Sequence, residues 1–326
     1  MRNKVLHFLR KADGFISGEE ISRQLKISRA GIWKYIQELR KSGYEIAAVP
    51  HSGYRLLTPP DKLTAAEIQN GLRTRLVGRQ IEHHESIKST MDAAFQLAMD
   101  GASDGTVVCA ESQTKGKGRL GRGWISPKGK GIYMSVILRP AISPADVAQI
   151  TLLSAVAVCE AVTRNCGVPA RIKWPNDILI SGKKAAGILT ELSAEADRVR
   201  FVVVGIGVNV NTPLSVLPAT ATSLKDAAGK KISRIILAQE ILNSLEFWYM
   251  SLQGQGFAPA IKRWKELTST LGQHVRVEGP NGYVEGTAEE LDPYGGLIIR
   301  SATGETVKKM SGDVIEIGPG DREDRR

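Results

Sequence analysis

Residues 17–41 read SGEEISRQLKISRAGIWKYIQELRK, and this stretch predicts two short helices separated by a tight turn. Ser17 stands three residues before Glu20, which is the capping-box spacing at the start of a helix. Ser28 is predicted to cap the second helix, which runs to Lys41. The apolar face of this second helix is predicted to carry Ile32, Trp33, Ile36 and Leu39. Two helices at this spacing are typical of a helix-turn-helix.

A short hairpin is predicted directly after these helices, with strands at residues 44–46 and 53–56 around a Pro-His-Ser-Gly turn. An amphipathic helix at residues 3–12 precedes them. The pattern predicts a winged helix-turn-helix that binds DNA and covers residues 1–62. The side chains predicted to contact DNA are Ser28, Arg29, Lys34, Gln37 and Arg55. A small helical dimerisation or packing module would show a similar pair of helices.

Positive charge is concentrated in this N-terminal segment. Residues 1–62 contain 12 Lys and Arg against 6 Asp and Glu, a net charge of +6, whereas the whole chain carries +10. More than half of the excess therefore lies in a fifth of the chain. Neutralising phosphates is the sequence-independent part of DNA affinity, so this distribution favours a nucleic-acid partner, although many basic segments are only solvated surfaces.

The Thr-Pro-Pro-Asp sequence at residues 58–61 marks a predicted domain boundary, since consecutive prolines continue neither a helix nor a central strand. From residue 63 to 270 helical and strand patterns alternate, which predicts a mixed α/β domain. The predicted elements include a helix at residues 63–72, a long buried helix at residues 149–166 and a strand at residues 187–191. Residues 271–326 predict short strands that form a small β-barrel or sheet. The charged tail Asp321–Arg326 is expected to be disordered. The predicted fold class is therefore α+β, with three domains.

The composition is that of a globular protein, because 42% of the residues are hydrophobic and 24% are charged. No apolar run approaches the about 18 residues that a membrane span needs, and the N-terminus shows no secretory signal. The three cysteines, Cys109, Cys159 and Cys166, include no C-x-x-C pair. They favour small core residues in a reducing compartment over a disulfide or zinc framework. The expected location is the cytoplasm, with no membrane partner.

The densest run of functional residues is Gly116-Lys-Gly-Arg-Leu-Gly-Arg-Gly-Trp124, which lies between two predicted strands. Its glycines allow the backbone to approach a ligand closely, and Lys117, Arg119 and Arg122 supply cations suited to phosphates. It is not a Walker A loop, because its Gly-Lys pair is not followed by Ser or Thr. The run predicts an anion-binding loop; a mobile surface loop or a second nucleic-acid contact is the alternative.

A second cluster, Lys173-Trp-Pro-Asn-Asp177, joins a cation, a rigid turn, an amide and a carboxylate within five residues. Asp177 is a candidate ligand for Mg²⁺, which prefers hard oxygen donors. Pro-Asn-Asp is also ordinary turn chemistry. Lys184, which follows a predicted turn, would by burial statistics alone be solvent-exposed. Gly205-Ile-Gly-Val-Asn209 fails the dinucleotide fingerprint, because Val210 stands where a glycine is needed.

Five motifs follow one another in the order found in biotin–protein ligases. They are Ser89-Thr-Met-Asp92, Gln113-Thr-Lys-Gly-Lys-Gly-Arg-Leu-Gly-Arg-Gly-Trp124, Lys173-Trp-Pro-Asn-Asp177, Lys183-Lys-Ala-Ala-Gly-Ile-Leu189 and Gly205-Ile-Gly-Val-Asn-Val-Asn211. The whole chain resembles the bifunctional bacterial form of this family, the biotin ligase that is also the repressor of the biotin operon. The glycine-arginine loop followed by KWPND is specific to this family and its lipoate-ligase relatives. The resemblance implies a class II synthetase-like ligase domain and an SH3-like C-terminal β-barrel.

The resemblance also implies a role for each motif. It implies a biotin pocket formed by Ser89, Thr90, Met91, Gln113, Gly116, Lys117, Gly118, Arg119 and Lys184. It implies nucleotide contacts from Arg122, Trp124, Asn176 and Asn209, and catalytic roles for Lys184, Arg119, Arg122 and Lys173. Asp177 is implied to lie near the ATP phosphates and Mg²⁺. Lys184 matches the family lysine that reaches the reacting carboxylate and the α-phosphate.

Two positions depart from the family pattern. Lys117 stands where an arginine is common, which keeps the charge but loses a planar bidentate fork. Met91-Asp92 stands where other members often have an amide, so the family's side-chain contact is not carried over at that position.

The implied chemistry is acyl activation in two steps: biotin reacts with ATP to give biotinyl-5'-AMP, and a lysine of a carrier protein then takes the biotinyl group. Neither step needs a protein nucleophile, since positioning and charge stabilisation suffice. The implied acceptor is the biotin carboxyl carrier protein of acetyl-CoA carboxylase. The other implied partners are operator DNA and a second copy of the chain, which pairs with the first when biotinyl-AMP is bound.

Two other functions fit part of the pattern. A transcription factor that only senses a small ligand would not need the basic loop together with Lys173 and Lys184. Lipoate ligation by the related fold is disfavoured by the winged helix-turn-helix of residues 1–62 and by the Lys-Gly-Arg sequence of the loop.

Overall fold

The computed structural model describes residues 1–279 and 282–317; the charged tail Asp321–Arg326 lies outside the described residues. The chain divides into two compact units, Met1–Lys62 and Leu63–Arg326. The sequence-based boundary at residue 270 falls inside the second unit and stays a prediction.

The first unit consists of three helices and a hairpin. They are α1 (Arg2–Lys11), α2 (Gly18–Leu25), α3 (Arg29–Lys41), β1 (Glu45–Val49) and β2 (Gly53–Thr58). The Ser17 hydroxyl accepts a hydrogen bond from the Glu20 N–H at 3.0 Å, and the Ser28 hydroxyl accepts one from the Gly31 N–H at 3.1 Å. Both caps satisfy N–H groups that a helix start leaves unpaired. β1 and β2 pair antiparallel and form the predicted wing.

The predicted burial of Trp33 is wrong. Ile32, Ile36 and Leu39 of α3 are buried, but the side chain of Trp33 is 56% exposed. The reason is helical geometry: about 3.6 residues make a turn, so Trp33 is rotated away from Ile32 and Ile36 toward the side that carries Arg29. The apolar face of α3 is therefore narrower than the sequence pattern suggests.

The second unit is built on a seven-stranded sheet. Its strands are β3 (Ile81–His84), β4 (Val107–Ala110), β5 (Ile132–Leu138), β6 (Arg171–Lys173), β7 (Asp177–Ile180), β8 (Lys183–Glu195) and β9 (Arg198–Val208). Its helices are α4 (Ala65–Gln69), α5 (Thr90–Met99), α6 (Val147–Cys166), α7 (Leu224–Ala228), α8 (Arg234–Gln255) and α9 (Ala258–Leu267). The strand order is β3-β4-β5-β9-β8-β7-β6, with β3 and β4 parallel and the other neighbours antiparallel.

Alternate residues of the central strands face helices on opposite sides of the sheet. Phe201 and Val203 of β9 pack with α5, whereas Val202 and Val204 belong to the core that contains α6. α8 and α9 pack against α6 on that second side. This alternation follows from the two-residue period of a strand.

The helical segment Pro144–Cys166 is long and apolar enough to cross a membrane, with a mean hydropathy of 1.6. However, 72% of its most apolar stretch is buried inside the unit, as expected of a core helix. The apolar stretch is longer than the sequence-based expectation, and the prediction of a buried helix over residues 149–166 is confirmed.

Three elements differ from the sequence expectation. The helix predicted at residues 63–72 is the shorter α4, and α7 was not predicted. β8 begins at Lys183 instead of Gly187, so Lys184 already lies within the strand that follows the predicted turn.

The C-terminal segment forms a separate five-stranded antiparallel sheet. Its strands are β10 (His274–Gly279), β11 (Gly282–Leu291), β12 (Leu297–Arg300), β13 (Thr306–Lys309) and β14 (Asp313–Glu316), in the order β13-β12-β11-β10-β14. The buried indole of Trp174 joins it to the large sheet, because its Nε1–H donates to the Gly295 carbonyl at 3.2 Å.

A buried ion pair ties the start of the second unit to α8. Glu111 and Arg234 are 2% and 1% exposed, and Arg234 Nη1 donates to Glu111 Oε2 at 2.9 Å. The Leu63 N–H donates to the other oxygen, Oε1, at 2.8 Å. Burial alone would raise the pKa of Glu111, but hydrogen bonds from His83 and Leu63 and the charge of Arg234 outweigh it and lower the pKa to about 2.

We predict that Glu111→Gln lowers the free energy of unfolding of the second unit by about 3–5 kcal/mol at pH 7, because it removes the buried charge that balances Arg234. The depressed pKa of Glu111 also makes wild-type stability fall as the pH drops from near 4.5 toward about 2, a loss that the variant should not share. Urea denaturation followed by tryptophan fluorescence at several pH values measures both effects. Glu82→Gln, at a more exposed carboxylate on β3, is the matched control. Equal destabilisation by the two substitutions would contradict the role of the pair.

Candidate active site

Three glycines leave a bare patch on the α5 side of the large sheet. Gly205 and Gly207 continue the face that carries Phe201 and Val203 earlier in β9, and Gly187 of β8 lies directly opposite Gly207. A Cβ atom on Gly207 would lie 2.5 Å from Cε2 of Trp124. Gly187 and Gly207 are therefore needed because the indole ring of Trp124 rests on the strands, whereas Gly205 makes room for Met91.

A cavity of about 500 Å³ opens over this glycine floor. This volume suits a small-molecule ligand. Its walls come from the start of α5, the basic loop, the turn between β6 and β7, β8, β9 and the C-terminal sheet. The cationic side chains that line it are Lys117, Arg119, Arg122, Lys173 and Lys184.

A hydrogen-bond network occupies the wall formed by α5 and the segment after β4. Gln113 Oε1 accepts from the Thr90 N–H at 2.8 Å and from the Thr90 hydroxyl at 3.1 Å. Ser135 donates to the Thr90 hydroxyl, and Gln113 Nε2 donates to Ser126. Met91 completes the wall by packing over Gly205, where an added Cβ would lie 2.5 Å from its sulfur. These contacts fix the orientation of polar groups beside the cavity.

The basic loop, residues 116–124, folds back on itself as a narrow hairpin. The Trp124 N–H donates to the Gly116 carbonyl at 2.9 Å, and the Gly118 N–H donates to the Arg122 carbonyl at 2.7 Å. Gly116 is required for this approach, since a Cβ atom there would lie 2.5 Å from the Trp124 carbonyl oxygen. The side chain of Leu120 at the tip is 73% exposed.

Arg119 connects the loop to two other parts of the unit. Its Nη1 donates to Asn176 Oδ1 at 2.9 Å and its Nη2 donates to the Gly312 carbonyl at 3.0 Å. Burial lowers the pKa of Arg119, and the nearby carboxylates of Asp313 and Asp177 oppose that effect. The guanidinium is thus held by oxygens from two other parts of the unit.

The other two loop cations each contact a carboxylate. Lys117 pairs with Asp92 on α5, and its hydrogen bond with that carboxylate raises the pKa of Lys117. Arg122 pairs with Asp313 of β14. The two departures from the family pattern noted in the sequence, at Lys117 and at the Met-Asp pair, are therefore in contact with each other.

Lys184 lines the cavity, and its side chain is 35% exposed. Its Nζ is 2.7 Å from Oδ1 of Asp177 and 5.5 Å from the centre of the Trp124 ring. Gly187 makes room for it, because a Cβ there would lie 3.1 Å from the Lys184 Cε. Burial statistics alone predicted a solvent-exposed lysine; the structure shows a half-buried one with partners in the cavity wall.

All five residues of the Lys-Trp-Pro-Asn-Asp turn line the cavity, and two of them, Trp174 and Asn176, are also buried. Trp174 is buried as described above, and Lys173 and Asp177 line the cavity. Asn176 is buried, and its Nδ2 donates to the Ile188 carbonyl at 2.6 Å. The turn therefore presents one cation and one carboxylate on a fixed support.

Two residues predicted for the site have a structural role and are absent from the cavity lining among the described residues. Ser89 is buried at the start of α5, where its hydroxyl accepts from the Asp92 N–H. Gly116 lies at the base of the loop. Asn209 does line the cavity, but its Nδ2 donates to the Thr222 carbonyl at 3.2 Å.

The structure brings two further segments to the cavity that the sequence analysis did not predict. Leu217, Pro218, Thr220 and Ala221 form one part of the wall. Asp313 and Glu278 from the C-terminal sheet form another. Neither segment has a recognisable motif, and only the fold shows that they reach the site.

The residues predicted to contact DNA belong to the first unit. Arg29, Lys34 and Arg55 are exposed there, and Gln37 is half-buried on the same helix as Arg29. Ser28 is exposed and caps α3.

Three known families match successive parts of the chain. They are an HTH domain over residues 1–55, the biotin/lipoate A/B protein ligase family over residues 84–209, and the biotin protein ligase C-terminal domain over residues 270–315. The order of the three matches is that of the winged head, the large sheet with its helices and the small sheet.

Full-length relatives carry the same arrangement. The bifunctional ligase/repressor BirA of Bacillus subtilis (strain 168) is 44% identical and covers 95% of this chain and 96% of its own length. The protein of the same name from Escherichia coli (strain K12) is 30% identical over 87% of this chain and 88% of its own.

Solved structures show the same fold. The biotin protein ligase from Aquifex aeolicus in complex with biotin and ATP is similar with a TM-score of 0.63 at 29% identity, over 73% of this chain and 98% of its own. Together with the Bacillus subtilis relative, which spans nearly the whole chain, this likeness identifies the chain as a member of the bifunctional biotin protein ligases, the family in which a ligase domain carries an N-terminal DNA-binding head.

Proposed function

We propose that the chain is an ATP-dependent biotin–protein ligase of the cytoplasm that also represses biotin genes. It forms biotinyl-5'-AMP and transfers the biotinyl group to a lysine of the biotin carboxyl carrier protein of acetyl-CoA carboxylase. The observation that carries this proposal is a single cavity lined both by an oriented hydrogen-bond network and by five cations. A biotin carboxylate and a triphosphate need such a combination in one place.

The polar network around Thr90 and Gln113 is proposed to bind the ureido ring of biotin. A buried ureido group needs hydrogen-bond partners, and the fixed hydroxyl and amide groups beside Met91 offer them in an otherwise apolar setting. Lys117 and Gly118 then lie on the loop that closes over the ligand. The similar Aquifex aeolicus protein was solved with biotin and ATP.

Adenylation is proposed to proceed by attack of a biotin carboxylate oxygen on the α-phosphorus of ATP. The new C–O–P linkage forms as the bond to pyrophosphate breaks, and pyrophosphate leaves with the electron pair. Lys184 and Arg119 stabilise the negative charge at the reacting centre, and Arg122 and Lys173 balance the phosphates. Trp124, Asn176 and Asn209 are proposed to support the nucleotide.

Asp177 is the residue proposed to hold Mg²⁺. The described part of the chain contains no group of three His, Cys, Asp or Glu side chains that could hold a metal by itself. A magnesium ion would take its other oxygens from phosphates and water, as is usual for nucleotide-bound Mg²⁺. The Asp177 carboxylate fits this role because it lines the cavity beside Lys184. When bound, the ion supplies further charge neutralisation at the phosphates.

The second step is proposed to be attack of the neutral amine of the acceptor lysine on the acyl carbon of the anhydride. AMP leaves, an amide forms, and the amine proton is released. The loop that carries Lys117 and Arg119 limits the access of water to the anhydride in the meantime.

We predict that Lys184→Ala slows biotinyl-5'-AMP formation by about 100-fold or more, because one charged donor to the developing negative charge is lost. Lys183→Ala is the matched control, since Lys183 precedes it on β8 but is exposed and does not line the cavity. The assay combines the full chain with Mg²⁺-ATP, an acceptor domain and either biotin or lipoate, and measures the lysine modification by mass spectrometry. Biotin ligation would be refuted if the wild type modified the acceptor with lipoate but not with biotin, or if it modified the acceptor with neither.

We predict that Asp92→Asn accelerates biotinyl-5'-AMP release by no more than about fivefold at low salt. Both partners of the Lys117–Asp92 pair are about half exposed, and such pairs contribute about 1 kcal/mol or less. The difference should disappear at about 1 M salt, where exposed charges are screened. Stopped-flow release of labelled adenylate measures the rate, with Asp100→Asn at the far end of α5 as control. An effect on release that does not depend on salt would contradict a role for Asp92 through its ion pair with Lys117.

Repression is proposed to depend on the ligand through the same loop. Binding of biotinyl-5'-AMP is proposed to add contacts to this folded loop and so to favour a homodimer. The winged helix-turn-helix units of the two copies then contact a two-fold-related operator. The helix-turn-helix and the ligase/repressor relatives support this coupling.

We predict that biotin plus ATP raises operator affinity at least tenfold. In sedimentation, the protein should change from the mass of a monomer to that of a dimer. The adenylate stabilises only the ordered loop, so it shifts the population toward the dimer. Lys184→Ala, which forms little adenylate, should lose the response to biotin plus ATP but regain it with preformed biotinyl-5'-AMP. Operator affinity that is indifferent to both ligands would refute the coupling.

A further inference from the structure

One face of α3 is exposed along its first two turns. Its residues recur one helical turn apart, as Arg29, Ala30, Trp33, Lys34 and Gln37. All of these except the half-buried Gln37 are exposed. The opposite face is buried through Ile32, Ile36 and Leu39. The indole of Trp33 thus lies at the centre of a polar and basic surface.

The core of the first unit is complete without this indole. Val5, Leu6 and Ile21 from the other two helices close around the buried face of α3, and each is at most 1% exposed. Trp33 is the largest side chain of the unit and remains 56% exposed. Burying an aromatic side chain of this size on a partner removes much apolar area from water, which is why tryptophan is enriched at interfaces.

The charges around Trp33 identify the chemistry of the partner. Arg29 precedes it by one turn on the same face, and Lys34 follows it directly. The unit has a net charge of +6, so an anionic surface is attracted to it. A helix with cations at its edges and an indole between them fits the major groove of DNA, where phosphates flank the bases and the thymine methyl group is the apolar contact.

We propose that Trp33 is a specificity-determining residue, whose indole contacts the C5-methyl group of a thymine in the operator. This inference rests on the operator binding proposed above. Affinity and sequence selection then come from different residues of α3. Arg29 and Lys34 supply affinity through phosphates, and Trp33 selects sequence through a methyl group.

The experiment begins with the full-length wild-type chain, biotin and Mg²⁺-ATP. Duplexes are selected from a random library, and the affinity of the best one is measured by fluorescence anisotropy. Each thymine is then replaced in turn by deoxyuridine, which removes only the methyl group. We expect one thymine in each half-site at which the replacement weakens wild-type binding about fourfold, the value of one buried methyl group.

Trp33→Ala should bind the parent duplex at least about tenfold more weakly and show no further loss with deoxyuridine at that thymine. Trp33→Phe, which keeps an apolar ring, should retain most of the preference. Lys34→Ala should instead weaken binding to all duplexes about equally and reduce the salt dependence, which Trp33→Ala leaves unchanged. Phe15→Ala is the matched control, because Phe15 is 42% exposed in the same unit but lies outside α3. It should bind like the wild type.

Folding is checked separately by thermal unfolding and by ligase activity, neither of which Trp33→Ala should alter. If the wild type selects no sequence, the proposed operator binding fails and this inference with it. If the wild type selects a sequence but Trp33→Ala keeps the same affinity and the same deoxyuridine penalties, this inference alone is wrong. A change in sedimenting mass of Trp33→Ala without DNA would assign Trp33 to a protein interface and overturn it as well.

Discussion

The side chain of Asn176 joins three parts of the second unit at the cavity. Its amide nitrogen donates to the Ile188 carbonyl of β8, and its oxygen accepts from Arg119 of the basic loop. Arg119 in turn donates to Gly312, next to the last strand of the small sheet. Because Asn176 is buried, each bond is protected from water and holds its partner firmly. The loop, the large sheet and the C-terminal sheet thus share one hydrogen-bond chain, and the position of the central cation depends on all three.

Four of the five cations that line the cavity contact anionic or polar partners within the chain. Lys184 contacts Asp177, Arg122 contacts Asp313, and Lys117 contacts Asp92. These carboxylates keep the cations oriented and reduce the repulsion between them. In the proposed reaction the phosphates of ATP replace some of these carboxylates as partners of the cations. Binding therefore exchanges one negative partner for another and does not require unpaired cations to lie close together. The contacts that orient the cations for catalysis are therefore supplied by the chain itself.

Local patterns predicted the elements of the fold, because capping serines, strand alternation and turn residues act over a few positions. The same logic failed for Trp33, since an apolar residue next to Ile32 is assigned to the core unless its rotation around the helix is followed. Lys184 could not be placed by statistics, because its position in the cavity depends on Gly187 further along β8 and on Asp177 of the neighbouring strand. Asp313 was missed altogether, as nothing in its neighbours along the chain indicates that β14 reaches the cavity. The family motifs supplied the candidate site residues, and the contacts between them came from the fold.

The glycines of β8 and β9 show how sequence, packing and the proposed function depend on one another. Gly205 and Gly207 do not form a dinucleotide fingerprint; they remove side chains from one face of the sheet so that Met91 and Trp124 can lie on it. The indole of Trp124 then borders Lys184, and an aromatic face beside a cation both excludes water and strengthens the local electrostatics. Water hydrolyses an acyl phosphate, so a site that forms one must combine charged side chains with the exclusion of water. The glycine strands covered by the Trp124 indole exclude water, and they lie beside the residues that supply the charge.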